Sequence, residues 1–221
     1  MTSICVIPAR GGSKGIIKKN LCLVNNETLL KRAILKAKSI FPNNKIYVSS
    51  DDDDIICEAQ SQGVNIHIRK PKHASDECST EDSLLSLLDD INSDAKYLIF
   101  AQCTSPFMKA EEFSNIKTKL QAGYDSAFSV YPCHDFQWKE NYNGEAVPLV
   151  NSPQFRVRRQ DSTKKYVEAG SVYGMLIKKF KEEKNRFCGN TALNVEMDGF
   201  HFELDKPRDL ILANLLAPYF D

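Results

Sequence analysis

The sequence predicts an α/β fold: a mostly parallel, twisted sheet with helices on both faces and an inserted hairpin and arm. Three observations carry this. Short apolar runs alternate with amphipathic stretches of helical period as far as Val130, the pattern of strand–helix–strand units. The runs Ile4-Cys5-Val6-Ile7 and Tyr97-Leu98-Ile99-Phe100-Ala101 are continuous, as in strands buried on both faces. Polar loops follow three of the runs, and open α/β sheets bind ligands at the carboxyl ends of their strands.

The first predicted strand, residues 3–7, ends at Pro8. After the loop, Leu29, Leu30, Ala33, Ile34, Ala37 and Ile40 form a helical stripe, with Lys31, Arg32 and Lys36 off it. Residues 45–49 form a second strand. Ser50 and Asp51 look like a helix N-cap before Ile55, Ile56 and Ala59. The acidic run 51–54 suits a first helical turn, where the dipole favours carboxylates, better than a metal site. Gly63 closes that helix, and residues 64–68 alternate as a third strand. Thr80 caps a helix carrying Leu84, Leu85, Leu87, Leu88 and Ile91. Strand 97–101, helix 109–121 and strand 126–130 follow.

From Tyr131 the pattern changes. Asn143-Gly144 signals a turn between short aromatic-bearing segments, and 151–165 is irregular and Arg-rich. Residues 131–165 are therefore expected to form a hairpin and arm within one domain spanning 1–221. Strand character returns at 170–175, 191–195 and 201–205, with a short charged helix from Lys178 and a final amphipathic helix over 208–216.

Bulk properties limit the function. A chain of 221 residues can bury one sizeable core. Lys plus Arg and Asp plus Glu are both 29, so there is no overall basic footprint and no nucleic-acid partner is expected. No apolar run approaches the roughly 18 residues of a membrane span, and no signal pattern opens the chain, so no membrane partner is expected. Seven scattered cysteines without a C-x-x-C pair, and four dispersed histidines, fit a reduced cytoplasmic protein without a zinc site.

The chemistry is concentrated in the first loop, Ala9-Arg10-Gly11-Gly12-Ser13-Lys14-Gly15-Ile16-Ile17-Lys18-Lys19-Asn20. Glycines let backbone N–H groups approach a ligand closely, and a curved run of them makes an anion nest. Arg10, Lys14, Lys18 and Lys19 supply charge for a polyphosphate. The spacing excludes both the P-loop and the dinucleotide fingerprint.

With Pro8 before it, this loop resembles the opening signature of the acylneuraminate cytidylyltransferases. Further segments resemble the same family in order: Ser49-Ser50-Asp51; Arg69 with Ala74-Ser75-Asp76 and Ser79-Thr80; Gln102-Cys103-Thr104-Ser105-Pro106; Arg158-Arg159-Gln160-Asp161 with Glu168-Ala169-Gly170 and Tyr173; and Glu203-Leu204-Asp205 with Asp209. Singly each is weak, but together they span nearly the whole chain. The resemblance implies a nucleotidyltransferase, Rossmann-like fold and CMP transfer from CTP to the C2 hydroxyl of a nonulosonic sugar acid, with release of pyrophosphate.

It also implies site roles. Gly11, Gly12, Ser13 and Lys14 cradle the triphosphate. Arg10 and Lys19 bind it and offset leaving-group charge, and Asn20 orients nucleotide or sugar. Arg69 and Ser79 hold cytosine and ribose, while Gln102, Thr104 and Ser105 contact sugar or ribose. Arg158, Arg159, Gln160, Glu168 and Tyr173 bind the sugar acid. Asp205, helped by Glu203, holds Mg²⁺, with Mn²⁺ as a substitute, and the family forms homodimers. Two positions depart from the family: Ala169 stands where Asn is frequent, and Glu203 where Asp is. Kdo, pseudaminic and legionaminic acids therefore stay open as acceptors. A non-catalytic nucleotide-binding protein is the rival class, opposed by the intact Arg10, Lys19 and Asp205.

Overall fold

The computed structural model describes residues 2–91, 93–149, 158, 164–196 and 200–220. The first strand, β1 (Ser3–Pro8), is buried almost throughout. After the Gly-rich loop comes a small hairpin, β2 (Leu23–Val24) and β3 (Glu27–Thr28). Its turn residues Asn25 and Asn26 both have positive φ, as a two-residue hairpin turn requires. Asn-Asn is a weaker signal than Asn-Gly, and the sequence reading passes over it.

Helix α1 (Leu29–Lys38) is capped by Thr28, whose hydroxyl accepts the Lys31 N–H at 3.0 Å. Its apolar stripe is buried as expected, but so is Arg32, which donates to the Pro106 and Val24 carbonyls at 3.3 Å. Strand β4 (Ile46–Ser50) leads to α2 (Asp53–Ser61). Asp52 caps α2, its Oδ1 accepting from the N–H groups of Asp54 and Ile55 at 3.0 and 3.1 Å. The acidic run is thus the start of a helix. Strand β5 (Asn65–Ile68) and α3 (Thr80–Asp90) follow. Ser79, one residue before the expected cap, accepts the Asp82 N–H at 3.0 Å.

Strand β6 (Tyr97–Ala101), α4 (Ala110–Gln121) and β7 (Ser126–Cys133) continue the alternation. The expected hairpin is β8 (Trp138–Glu140) with β9 (Ala146–Pro148), closed by the Asn141 side chain over Asn143 and Glu145. Strand β10 (Lys165–Leu176), α5 (Ile177–Glu183), β11 (Thr191–Val195) and α6 (Pro207–Phe220) complete the chain. Residues 201–205 belong to no strand, contrary to expectation. They cross the carboxyl ends of the sheet, where a single bond from Leu204 N–H to the Thr104 carbonyl (2.9 Å) replaces a ladder.

The sheet has seven strands in the order β11-β7-β10-β6-β1-β4-β5. The pairs β6–β1, β1–β4, β4–β5 and β7–β11 are parallel, and β10 runs against both its neighbours. Side chains alternate across β1. Cys5 and Ile7 join the core beneath α1, α2, α4 and α6, whereas Ile4 and Val6 join the core beneath α3 and α5. Helices therefore cover both faces.

Helix α4 lies so close to β10 that Gly174 has no space for a side chain. A Cβ there would run into Ile116 and stand 2.9 Å from Leu120 Cδ1. Gly174→Ala should lower stability by about 1–3 kcal/mol, the usual cost of overpacking. Urea unfolding should show a lower midpoint with an unchanged slope.

Two histidines couple this fold to pH. His67 on β5 is buried between Ser49 and Asp90, and His201 stacks on Tyr131 with ring centroids 4.8 Å apart. Burial holds both below the ordinary 6.5, with Asp90 partly opposing it at His67. Below 6.5 the unfolded chain then binds more protons than the folded one, so their contribution is complete above that pH and is lost on acidification. The melting temperature should therefore fall less steeply between about pH 7 and pH 5 in His201→Phe, which keeps the stack, than in the unaltered protein.

Candidate active site

Because β1, β4, β5 and β6 are parallel, the loops after them meet at one edge. They enclose a cleft of about 430 Å³ lined by Arg10, Ser13, Lys14, Gly15, Lys19 and Asn20 from the first loop, Arg69 and Ser79 from beyond β5, Gln102 and Thr104 from beyond β6, and Asp205. Arg10, Ser13, Lys14, Lys19, Asn20, Arg69, Ser79, Gln102, Thr104 and Asp205 of the sequence-predicted set thus converge, although up to 195 positions separate Arg10 from Asp205.

Local bonds shape the Gly-rich loop. Gly11 N–H donates to Asp51 Oδ1 at 3.1 Å. Gly12 is exposed. Gly15 passes so close to the Asp205 carbonyl that no Cβ fits between them. Buried Asn20 donates from Nδ2 to the Arg10 carbonyl at 3.0 Å, holding the loop's two ends together. Lys18 adopts the left-handed conformation (φ 50°) and pairs with Asp54, apart from the cleft lining. The next residue, Lys19, turns inwards, donating from Nζ to the Leu204 carbonyl (2.7 Å) and Asp205 Oδ1 (3.2 Å).

The cleft holds more cations than its carboxylates balance. Arg10 and Lys14 both pair with Asp76 at 2.8 Å. The Lys14 ammonium, with Arg10, holds the Asp76 carboxyl below the usual range. Arg69 is buried, and its Nε donates to Ser49 Oγ at 3.1 Å. Among the described residues no carboxylate forms an ion pair with it. Burial lowers its pKa, with Asp51 opposing, but a guanidinium stays protonated in proteins.

Next to the cleft residue Thr104, Glu203 accepts from its hydroxyl at 3.3 Å and lies against Gly170. Glu203 is exposed, and partial desolvation of its carboxylate, reinforced by Asp205, pushes its pKa up. Asp205 is exposed and does not cap α6. That task falls to Asp209, whose Oδ2 accepts from the Asp205 and Lys206 N–H groups at 3.0 and 2.7 Å. Among the described residues no three His, Cys, Asp or Glu side chains cluster as a metal site. Glu203 and Asp205 nevertheless form a carboxylate pair beside the cationic cleft, a donor set of the kind Mg²⁺ takes when phosphate and water complete its shell.

Seven predicted residues that the structure describes, Gly11, Gly12, Ser105, Arg158, Glu168, Tyr173 and Glu203, are not part of the cleft lining. Ser105 is buried, donates to the Gly170 carbonyl at 3.2 Å, and borders a second cavity of about 30 Å³ with Phe107, Ala169 and Phe200. Tyr173 stacks on Phe100 at 4.6 Å in the core, and its hydroxyl donates to Glu168, which lies on the surface. Arg158 is exposed, and Arg159 and Gln160 lie outside the described residues. The sequence reading had no role for the pairing of Asp76 with two loop cations, or for Ser49, His67 and Asp90 behind Arg69. No motif spacing signals either, because the partners come from different elements.

Fold and cleft together define a nucleotidyltransferase-type α/β protein. The solved structure of CMP:2-keto-3-deoxy-manno-octonic acid synthetase complexed with CTP superposes with a TM-score of 0.72, covering 99% of both chains at 15% identity, which shows the fold. Residues 4–188 match the model of the Cytidylyltransferase family, and the chain belongs to that family. Among named relatives, N-acylneuraminate cytidylyltransferase A of Danio rerio is 32% identical over 172 residues, 76% of this chain. The match covers 40% of that relative, so the chain spans less than half its length. The pseudaminic acid cytidylyltransferase of Campylobacter jejuni serotype O:2 is 26% identical over 98% of this chain and 96% of its own. Among the described residues no helix is long and apolar enough to cross a membrane.

Proposed function

We propose that the protein transfers CMP from CTP to the C2 hydroxyl of a nonulosonic sugar acid. The acceptor oxygen bonds to the α-phosphorus, the α–β phosphoanhydride bond breaks, the hydroxyl proton is lost and pyrophosphate leaves. The observation that carries this reading is the convergence of Arg10, Lys14, Lys19 and Arg69 on one cleft beside a Gly-rich loop. Such transfer depends on positioning and on neutralising charge, and those residues supply both. In this reading the loop N–H groups and Lys14 cradle the triphosphate, and Arg10 and Lys19 offset the charge that develops on pyrophosphate. Asn20 keeps the loop in shape. Arg69, Ser79 and Gln102 hold the nucleoside, and Thr104 faces the acceptor.

Glu203 and Asp205 would hold Mg²⁺ or Mn²⁺, which would supply charge neutralisation on the phosphates. The carboxylate of the acceptor would pair with Arg158 and Arg159, since guanidinium forks suit carboxylates. The names of the two relatives support a nonulosonic acceptor. The end-to-end match to the pseudaminic acid enzyme favours pseudaminic acid as a specific second candidate. The seven free cysteines favour a cytoplasmic setting.

The test is pyrophosphate release from CTP with Mg²⁺ and a panel of sialic, pseudaminic, legionaminic and Kdo acids. Turnover is expected with a nonulosonic acid and is expected to stop in excess chelator. Arg10→Ala or Lys19→Ala should each lower kcat/KM by at least about a hundredfold with unchanged circular dichroism. A folded protein that turns over none of the panel overturns the reading.

The β8–β9 hairpin pairs only with itself among the described residues and exposes Trp138 and Tyr142. It has too little apolar area of its own to be a stable unit. It fits a two-fold dimer contact, and light scattering at micromolar concentration should give twice the chain mass. A monomer would show that the hairpin stands free.

A further inference from the structure

Arg69 is held from behind by a chain of side chains that no part of the transfer chemistry requires. Its Nε donates to Ser49 Oγ at 3.1 Å. Ser49 stands on β4 directly opposite His67 on β5, and its Oγ is 2.9 Å from His67 Nδ1. The other ring nitrogen, Nε2, is 3.2 Å from Asp90 Oδ2 at the end of α3. Asp90 is itself anchored, its Oδ1 accepting from Lys70 Nζ at 2.7 Å. Ser49, His67 and Arg69 are all buried.

Donor and acceptor accounting gives this chain one direction. An ionised Asp90 only accepts, so His67 Nε2 carries the proton. A neutral ring then offers Nδ1 as an acceptor, and the Ser49 hydroxyl donates to it. The Ser49 lone pairs are left facing Arg69, whose Nε–H fills one of them. Hydrogen bonds therefore run from Arg69 through Ser49 and His67 to Asp90 without a conflict. The depressed pKa of His67, caused chiefly by burial, keeps the ring neutral as this order needs.

The guanidinium is thereby gripped at Nε alone. Among the described residues its two Nη groups donate to no side chain or carbonyl, and Arg69 lines the cleft. Ion pairing with a carboxylate would have neutralised the group and occupied its fork. A neutral hydroxyl fixes its orientation and leaves both charge and fork available. The set Ser49, His67 and Asp90 has the residue types of a hydrolytic triad, but Ser49 is 1% exposed and covered by Arg69. It cannot meet a substrate as a nucleophile.

We infer that Ser49, His67 and Asp90 are positioning residues that hold the Arg69 guanidinium with its Nη edge towards the nucleotide. The inference rests on the reading that the cleft binds CTP.

A double-mutant cycle tests it, with CTP affinity measured by calorimetry and KM determined separately for CTP and for the sugar acid. Ser49→Ala should weaken CTP binding about tenfold, the loss of one hydrogen bond to a charged group, and leave the sugar KM unchanged. Ser49→Thr, which keeps the hydroxyl, should bind CTP as the unaltered protein does. Arg69→Ala should weaken CTP binding by more than Ser49→Ala, and adding Ser49→Ala to it should cause no further loss.

If Arg69→Ala loses CTP affinity while Ser49→Ala does not, the positioning role is overturned and the proposed function stands. Losses that add in the double variant place Ser49 outside the Arg69 chain and overturn the role as well. An Arg69→Ala protein that binds CTP normally removes Arg69 from the nucleotide site, and the inference falls with that assignment. Equal rises in both KM values mark a general structural defect and also refute it.

Discussion

Strand β1 bonds in parallel to β4 on one side and to β6 on the other, and the cleft depends on that pairing. Parallel strands end at the same edge, so the loops after Pro8, Ile68 and Ala101 have to meet there. The pairing is held by burial on two sides. Ile4 and Val6 pack under α3, and Cys5 and Ile7 under α1 and α2. Neither layer alone could keep the loops in register, since a one-residue slip would exchange the two faces of the strand.

Closure of the cleft comes from the far end of the chain. The segment 201–205 crosses the strand ends and is tied down by Leu204, whose side chain is fully buried and whose backbone bonds both Thr104 and Lys19. Gly15 leaves just enough space for the Asp205 carbonyl. Asp209 takes over the helix-start N–H groups, which leaves the Asp205 carboxylate directed at Lys19. An acidic wall is thereby set against a cationic one at short range.

The cations differ in how they are kept. Arg10, Lys14 and Lys19 have carboxylate partners on the protein, so on the proposed function a polyphosphate would exchange one set of ion pairs for another. These pairs are at least partly exposed, and exposed pairs contribute little stability, so such exchange is not opposed by a large loss. Arg69 is different: buried, oriented by a hydroxyl, and in an ion pair with no carboxylate among the described residues. A buried charge without a counterion is costly, and it persists here because a hydrogen-bonded chain and the open cleft both face it.

How much of this was legible follows from the range of the interactions. Apolar runs and helical stripes are local, and they marked nearly every strand and helix of the sheet. The Gly-rich loop and its cations were legible for the same reason, since glycine and charge act where they stand. Residues 201–205 alternate like a strand but lie across strand ends, where no strand among the described residues pairs with them. Alternation reports which side chains are buried, and it did so correctly for Leu204, but it does not report a partner. Asp52 and Ser79 became caps because the backbone turned there, within a residue or two of where composition pointed, and Thr28 caps α1, for which the sequence reading names no cap.

By itself the sequence determined the fold class, the loop chemistry and the set of polar residues that the cleft would draw on. Tertiary structure alone decided which of them face one another. Asp76 meets Arg10 and Lys14, Tyr173 turns into the core, and Ser49, His67 and Asp90 line up behind Arg69. The reason is physical: a hydrogen bond or ion pair needs atoms within a few ångströms, and residues from separate strands and helices come that close only once the sheet has been assembled.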